Sequence, residues 1–198
     1  MTTHKRIAVR IVRLAVAIAS IVVAAGQALP QPAMSGVQVG GLISSFRPFH
    51  ITGANRGSSV CPICQYPTNP AVQVWINGDD ERNVAAIAGL LEHCTVAHSQ
   101  SKFKAFLVYC SLDAKHDHAL RASLEQVAQS NHLKNVAVVL VSSDNVNGYR
   151  DNNINTDPAV RNTVFVYKAA RVSAKFVNLV ADRRGLANLN AAIYTIVQ

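Results

Sequence analysis

The stretch Pro70-Ala-Val-Gln-Val-Trp-Ile76, followed by Asn77-Gly-Asp-Asp80, decides the fold class of this chain. The β-branched and aromatic residues after the proline predict a strand, and the turn residues behind them predict its end. The carboxylates of that turn can cap a helix, and Val84, Ile87 and Leu91 then recur at the spacing of one helical face. A buried strand, a tight turn and an amphipathic helix are typical of an α/β domain.

The same alternation of strand and helix continues to the C-terminus. The further predicted elements are a strand over 103–110, a helix over 117–130, a wholly apolar strand over 136–141, a polar loop over 142–158, a hairpin over 163–177 and a last helix over 183–197. Strands that alternate with helices predict parallel neighbours, whereas the hairpin adds antiparallel edges. The sequence therefore predicts an α/β three-layer sandwich with a mixed central sheet and a C-terminal hairpin and helix.

Residues 1–28 have the pattern of a secretory signal peptide. Four basic residues precede the apolar run 14–25, and Gly26 and Ala28 supply the small residues of a cleavage site. The run is shorter than the roughly 20 apolar residues that span a bilayer comfortably. The sequence predicts a secreted or periplasmic protein cleaved after Ala28, with retention of the segment as an anchor as the alternative.

Charge and composition argue against two classes of partner. The 198 residues carry a formal net charge of +8, and the four charges of the predicted signal peptide, all basic, supply half of it. The remaining basic residues are scattered, which argues against a nucleic-acid interface, and no other segment is long and apolar enough to cross a membrane. Residues 29–45, rich in Gly, Pro and Ser, predict a flexible linker before a domain over 46–198.

The order of elements resembles the thioredoxin-like fold in the version used by the redoxin and peroxiredoxin family, from Phe46 to the C-terminus. The stretches that carry the resemblance are 70–76, 106–113, 161–167 and 171–177. The resemblance implies a thioredoxin-like sandwich whose sheet ends in the hairpin.

The chain departs from that family at its reactive positions. Peroxiredoxins place a reactive cysteine, preceded by a threonine, just after the first core strand, and thioredoxins place Cys-x-x-Cys there. Here the stretch reads Asn77-Gly-Asp-Asp-Glu-Arg-Asn83, and Asn162 stands where thioredoxins have a cis-proline. A peroxidase of the family's usual mechanism is therefore not expected.

Cys61-Pro-Ile-Cys64 lies before the first core strand, displaced from the family's usual turn. Such a pair can shuttle between dithiol and disulfide, form a structural disulfide in an exported protein, or supply two thiolates to a metal. The redox hypothesis takes Cys61 as the more exposed attacking thiol and Cys64 as the resolving thiol. The proline-rich stretch 65–70 does not predict a helix behind the pair, so no activating helix dipole is expected.

A metal site would need further ligands. The predicted helix after Asp80 returns His93 and Cys94 to the same end of the sheet, and His98 follows them. Cys61, Cys64 and Cys94, with either histidine, would suit tetrahedral zinc or Cu(I). The alternative is that His93 and Cys94 only end a helix, in which case no cofactor is expected.

Two further features lie at the opposite edge of the predicted sheet. Cys110 ends the second core strand about seven residues away from the end that carries Cys94, so we expect no disulfide between them. Asp113, His116, Asp117 and His118 follow that strand, as a metal-binding cluster or as helix-start caps and solvated charge. The leading hypothesis is an exported protein that exchanges disulfides with other protein thiols, and the alternative is a non-catalytic binding module of the same fold.

Overall fold

The computed structural model describes residues 33–111, 117–142 and 145–198, so the predicted signal peptide, Asp113 and His116 lie outside the described residues. The elements in chain order are β1 (Phe49–His50), α1 (Pro62–Gln65), β2 (Pro70–Ile76), α2 (Glu81–Ala97), a 3-10 turn (Ser99–Ser101), β3 (Lys104–Cys110), α3 (Asp117–Ser130), β4 (Ala137–Val141), α4 (Val146–Asp151), β5 (Asn162–Lys168), β6 (Arg171–Val177) and α5 (Arg183–Val197).

The strands form one mixed sheet in the order β1-β4-β3-β2-β5-β6. The central strands β2, β3 and β4 are parallel, while β1, β5 and β6 each pair antiparallel with their neighbours. The predicted α/β sandwich with a closing hairpin and helix is confirmed. Because Ile76 pairs with Asn162, the carboxyl end of β2 lies beside the start of β5.

Both faces of the sheet are covered, so every residue of β2 is buried. Alternate residues of β2 point to opposite faces. Val72 and Val74 join the first core cluster, which packs beneath α2, α3 and α5. Trp75 joins the second core cluster, on the other face, beneath α1, α4 and residues 37–46.

The predicted flexible linker, 29–45, packs against the domain over its described part. Gly40 N donates to Val172 O at 2.8 Å, and Val172 N donates to Gly41 O at 3.0 Å. Ile43 is buried in the second core cluster. A Cβ at Gly36 would lie 2.6 Å from the Phe165 ring, so this segment needs a small residue there to pack on the sheet, although its composition resembles that of a linker.

No helix in the described part of the chain has the length and apolarity that a membrane span requires.

Candidate functional site

Cys61 and Cys64 form a disulfide, with their Cα atoms 5.3 Å apart. Between them begins α1, a single helical turn that the sequence did not predict. Pro62 occupies its first turn, where a missing N–H costs nothing, and Cys61 is the N-cap, its Sγ accepting a hydrogen bond from Cys64 N at 3.1 Å. The turn stops at Gln65 because Pro67 disfavours helical geometry in the residue before it.

The two sulfur-bearing residues differ in exposure, in the opposite sense to the one expected. Cys61 is only 5% exposed, whereas Cys64 lies at the surface. The N-cap position turns Cys61 toward the protein, and the end of the short turn leaves Cys64 in solvent. Cys64 is therefore the more accessible residue of the pair.

Packing against the sheet holds α1 in place. Ile63 and Tyr66 pack on the second core cluster, and the Tyr66 ring lies 6.3 Å from that of Phe106. Lys104 Nζ lies 4.9 Å from the centre of the Tyr66 ring, a cation–π contact at the amino end of β3. The disulfide is thus anchored away from the turn that follows β2.

His50, which the sequence did not single out, supports the chain that leads to the disulfide. It is buried in β1, and its Nε2 lies 3.0 Å from Val60 O, a contact in which Nε2–H is the donor. Its backbone N donates to Ser58 O at 2.9 Å. Burial lowers the pKa of His50, and the hydrogen bond to Val60 opposes that shift without cancelling it.

The protein should lose stability as the pH falls below about 6.5, the ordinary pKa of histidine. The folded state holds His50 neutral, so protonation favours the unfolded chain. The stability that depends on neutral His50 is fully present above the unfolded-state pKa, and it is lost as the pH falls through the lower folded-state pKa. Urea unfolding of the wild type and His50→Gln at pH 7.5 and 5.0 measures this loss. His93→Gln, at an exposed histidine, should retain the wild-type pH dependence, and an equal dependence in His50→Gln would contradict the assignment.

The turn after β2, where redoxins carry their reactive cysteine, is closed by side-chain amides. Asn162 is fully buried, and its Nδ2 donates to Asp79 Oδ2 at 2.6 Å and to Leu179 O at 3.0 Å. Asn162 Oδ1 accepts from Leu179 N at 2.8 Å. Asn83 Nδ2 donates to the same Asp79 oxygen at 2.7 Å. These bonds join the turn to the end of the hairpin, which is a structural role.

The structure does not bring the candidate metal ligands together. Cys94 belongs to the first core cluster, whereas α1, which bears the disulfide, packs on the second, across the sheet. His93 is exposed, and the His98 ring contacts the ring of Tyr194 at 6.5 Å. Within residues 33–111, 117–142 and 145–198, no group of three or more His, Cys, Asp or Glu side chains could hold a metal.

Cys94, in α2, and Cys110, the last residue of β3, are both free thiols, in agreement with the expectation that they do not pair. Burial raises the pKa of Cys94, and the Cys94 Sγ–H donates to Asn190 Oδ1 at 3.6 Å. Burial also raises the pKa of Cys110 to about 12, although a hydrogen bond with Tyr149 acts to lower that pKa. Both remain protonated near neutral pH, so neither is an activated nucleophile.

No protein-family model matches the chain, and no curated protein matches its sequence significantly. Its structure is similar to a thiol:disulfide interchange protein from Bacteroides sp., with a TM-score of 0.58 and 12% identity over 82% of this chain and 92% of that one. A thiol peroxidase from Chromobacterium violaceum has a TM-score of 0.52 and 14% identity over 83% and 90% of the two chains.

A 2-Cys peroxiredoxin from Plasmodium vivax is also similar, with a TM-score of 0.56 and 16% identity over 80% of this chain and 95% of that one. At such low identities the likeness establishes the fold and not the activity. The described part of the chain has a thioredoxin-like fold.

Proposed function

We propose that this is an exported thiol-disulfide exchange protein whose redox pair is Cys61 and Cys64. The observation that carries the proposal is the exposure of Cys64, which is disulfide-bonded to a buried Cys61 whose Sγ accepts a backbone N–H. An accessible sulfur admits an attacking thiolate, and a hydrogen-bond donor stabilises the thiolate that leaves. Export is supported by the signal-peptide pattern of residues 1–28.

The exchange begins when a thiolate of a partner protein attacks Cys64 Sγ in line with the disulfide. A mixed disulfide forms, the Cys61–Cys64 bond breaks, and its electron pair leaves with Cys61, which then takes up a proton. A second partner thiolate attacks the partner's own sulfur in the mixed disulfide, and Cys64 leaves and is protonated. Two partner thiols are thereby oxidised to a disulfide, while Cys61 and Cys64 are reduced to thiols.

The reverse direction starts from the same residue. In the reduced protein the exposed Cys64 thiolate attacks a partner disulfide, and Cys61 resolves the mixed disulfide from its buried position. This assignment exchanges the two roles expected from the sequence. It follows from the exposure of the two residues, since access limits which thiol meets a protein substrate.

The reduction potential of the Cys61–Cys64 pair tests the proposal. Equilibration with glutathione buffers, read by alkylation and mass spectrometry, should give a potential above about −300 mV, in the range of exchange catalysts. A potential below that value would identify a structural disulfide in a non-catalytic module, which is the alternative favoured by the burial of Cys61. Cys110→Ser is the matched control and should leave the potential unchanged.

The roles of the two cysteines are tested by single variants. In Cys61→Ser the remaining Cys64 thiol should react rapidly with an aromatic disulfide reagent, whereas in Cys64→Ser the remaining Cys61 should react more slowly. Peptide mapping identifies the modified residue. Faster reaction of Cys61 in the folded variant would overturn the assignment of Cys64 as the attacked sulfur.

A further inference from the structure

A cavity of about 460 Å³ lies beside the edge strand β1. Its lining includes Arg47 before β1, Arg121 on α3, Ser59 and Asn145, with Phe49 and Leu140 as the apolar part. The cavity combines cationic and hydrogen-bonding groups with an apolar wall, as sites for small organic molecules commonly do.

Arg121 is the least satisfied polar side chain in this cavity. Its guanidinium lies over the Phe49 ring, with the central carbon 3.9 Å from the ring centre. Its Nε is buried and has no hydrogen-bond partner, the one such side-chain atom within the described residues. A buried donor left without a partner is costly, so an atom of this kind calls for an acceptor.

The described lining of the cavity is positively charged. Among the seven described residues that line it, two are arginines and none is an acid. Glu125, one turn further along α3 from Arg121, is paired with Arg56 instead. Arg47 and Arg121 therefore place two guanidinium groups at one cavity whose described lining contains no carboxylate.

Hydrogen bonds fix the main chain around the cavity before any ligand arrives. Asn145 Nδ2 donates to Arg47 O at 3.0 Å, which ties the segment before β1 to the loop after β4. Phe49, beneath the Arg121 guanidinium, is fixed by pairing with Leu140 and with Ser59. A site organised in advance loses less entropy on binding.

We propose that this cavity binds a small organic anion, through a carboxylate or phosphate group held by Arg47 and Arg121. The planar guanidinium matches both groups with paired N–H donors, and a shift of the Arg121 side chain on binding would give its buried Nε the acceptor that it lacks. The apolar wall of Phe49 and Leu140 suits the carbon skeleton of the ligand. The site is independent of the disulfide, so binding should persist in Cys61→Ser.

Nuclear magnetic resonance titration at low ionic strength tests the site directly, because the Arg121 Nε–H gives its own signal. Benzoate and phenyl phosphate are the two probes, and uncharged benzamide is the control. We expect one or both anions to shift the Arg121 Nε–H signal saturably, and the stronger of the two identifies the preferred group. No saturable shift with either anion at about 10 mM, above a millimolar Kd, would overturn the proposal.

Variants test whether the anion binds at this cavity or is attracted generally to a basic protein. Arg121→Gln and Arg47→Gln should each weaken binding by about tenfold or more, as expected for loss of a charged hydrogen bond. Arg82→Gln removes an equal charge at an exposed position of α2 and should leave the affinity unchanged. Equal weakening in Arg82→Gln would contradict the proposal, and Arg47→Gln keeps it testable should Arg121→Gln fail to fold.

Discussion

Replacing Trp75 with alanine should lower the free energy of unfolding by about 3–5 kcal/mol, the range for truncating a large buried aromatic side chain. Trp75 is 1% exposed at the centre of the second core cluster. Its ring lies 4.7 Å from the ring of Phe46 and 6.2 Å from that of Tyr149. The cavity left by the change would loosen both the N-terminal segment and α4 from the sheet.

Part of the lost stability comes from a buried hydrogen bond that Trp75 makes. Trp75 Nε1 donates to Gln73 Oε1 at 3.1 Å, and Gln73 Nε2 donates to the Tyr167 hydroxyl at 2.9 Å. Trp75→Phe keeps most of the apolar volume but leaves the fully buried Gln73 oxygen without this donor. The free energy of unfolding of Trp75→Phe should fall by about 1–3 kcal/mol, which is less than the fall expected for Trp75→Ala.

Urea unfolding at pH 7.5, followed by circular dichroism, measures both losses. Tyr194→Ala is the matched control, since Tyr194 is an exposed aromatic residue on α5, and its change should stay within about 0.5 kcal/mol. A loss below about 1 kcal/mol for Trp75→Ala would show that the second core cluster does not stabilise the fold as its packing indicates.

Replacing Asn162 with aspartate should lower the free energy of unfolding by about 3–5 kcal/mol, the range for an uncompensated buried charge. The substitution keeps the shape but turns a donor into an acceptor that faces Asp79 Oδ2 and Leu179 O. Two carboxylates would then share one buried site. Asn162→Ala, which removes the bonds without adding a charge, should cost less, about 1–3 kcal/mol.

The pH dependence separates repulsion from a merely misfitting side chain. The new carboxyl group would have a folded pKa above its unfolded value, so the variant should regain stability relative to wild type as the pH falls toward 4. Asn188→Asp, at an exposed position of α5, should stay within about 0.5 kcal/mol at every pH. A loss in Asn162→Asp that does not vary with pH would contradict the charge-based explanation.

The local patterns of the sequence predicted most of the architecture. The apolar run of β2 and the helical spacing of Val84, Ile87 and Leu91 depend on neighbours within one element, so they could be recognised before the fold was known. The departure at 77–83 also indicated that the usual reactive turn is absent. The sequence did not predict what closes that turn, because Asp79 and Asn162 are 83 residues apart and meet only when β2 pairs with β5.

For the candidate sites, too, the sequence determined what depends on neighbouring residues, and the tertiary structure decided what depends on distant ones. The sequence by itself determined that Cys61 and Cys64 are three positions apart, a spacing that allows them to pair where the chain turns between them. Only the tertiary structure decided that Cys61 is buried and Cys64 exposed, because that difference arises from the packing of α1 on the sheet. It alone separated Cys94 from the disulfide and brought Arg47 to Arg121, since contacts between distant residues depend on which surfaces the sheet buries together.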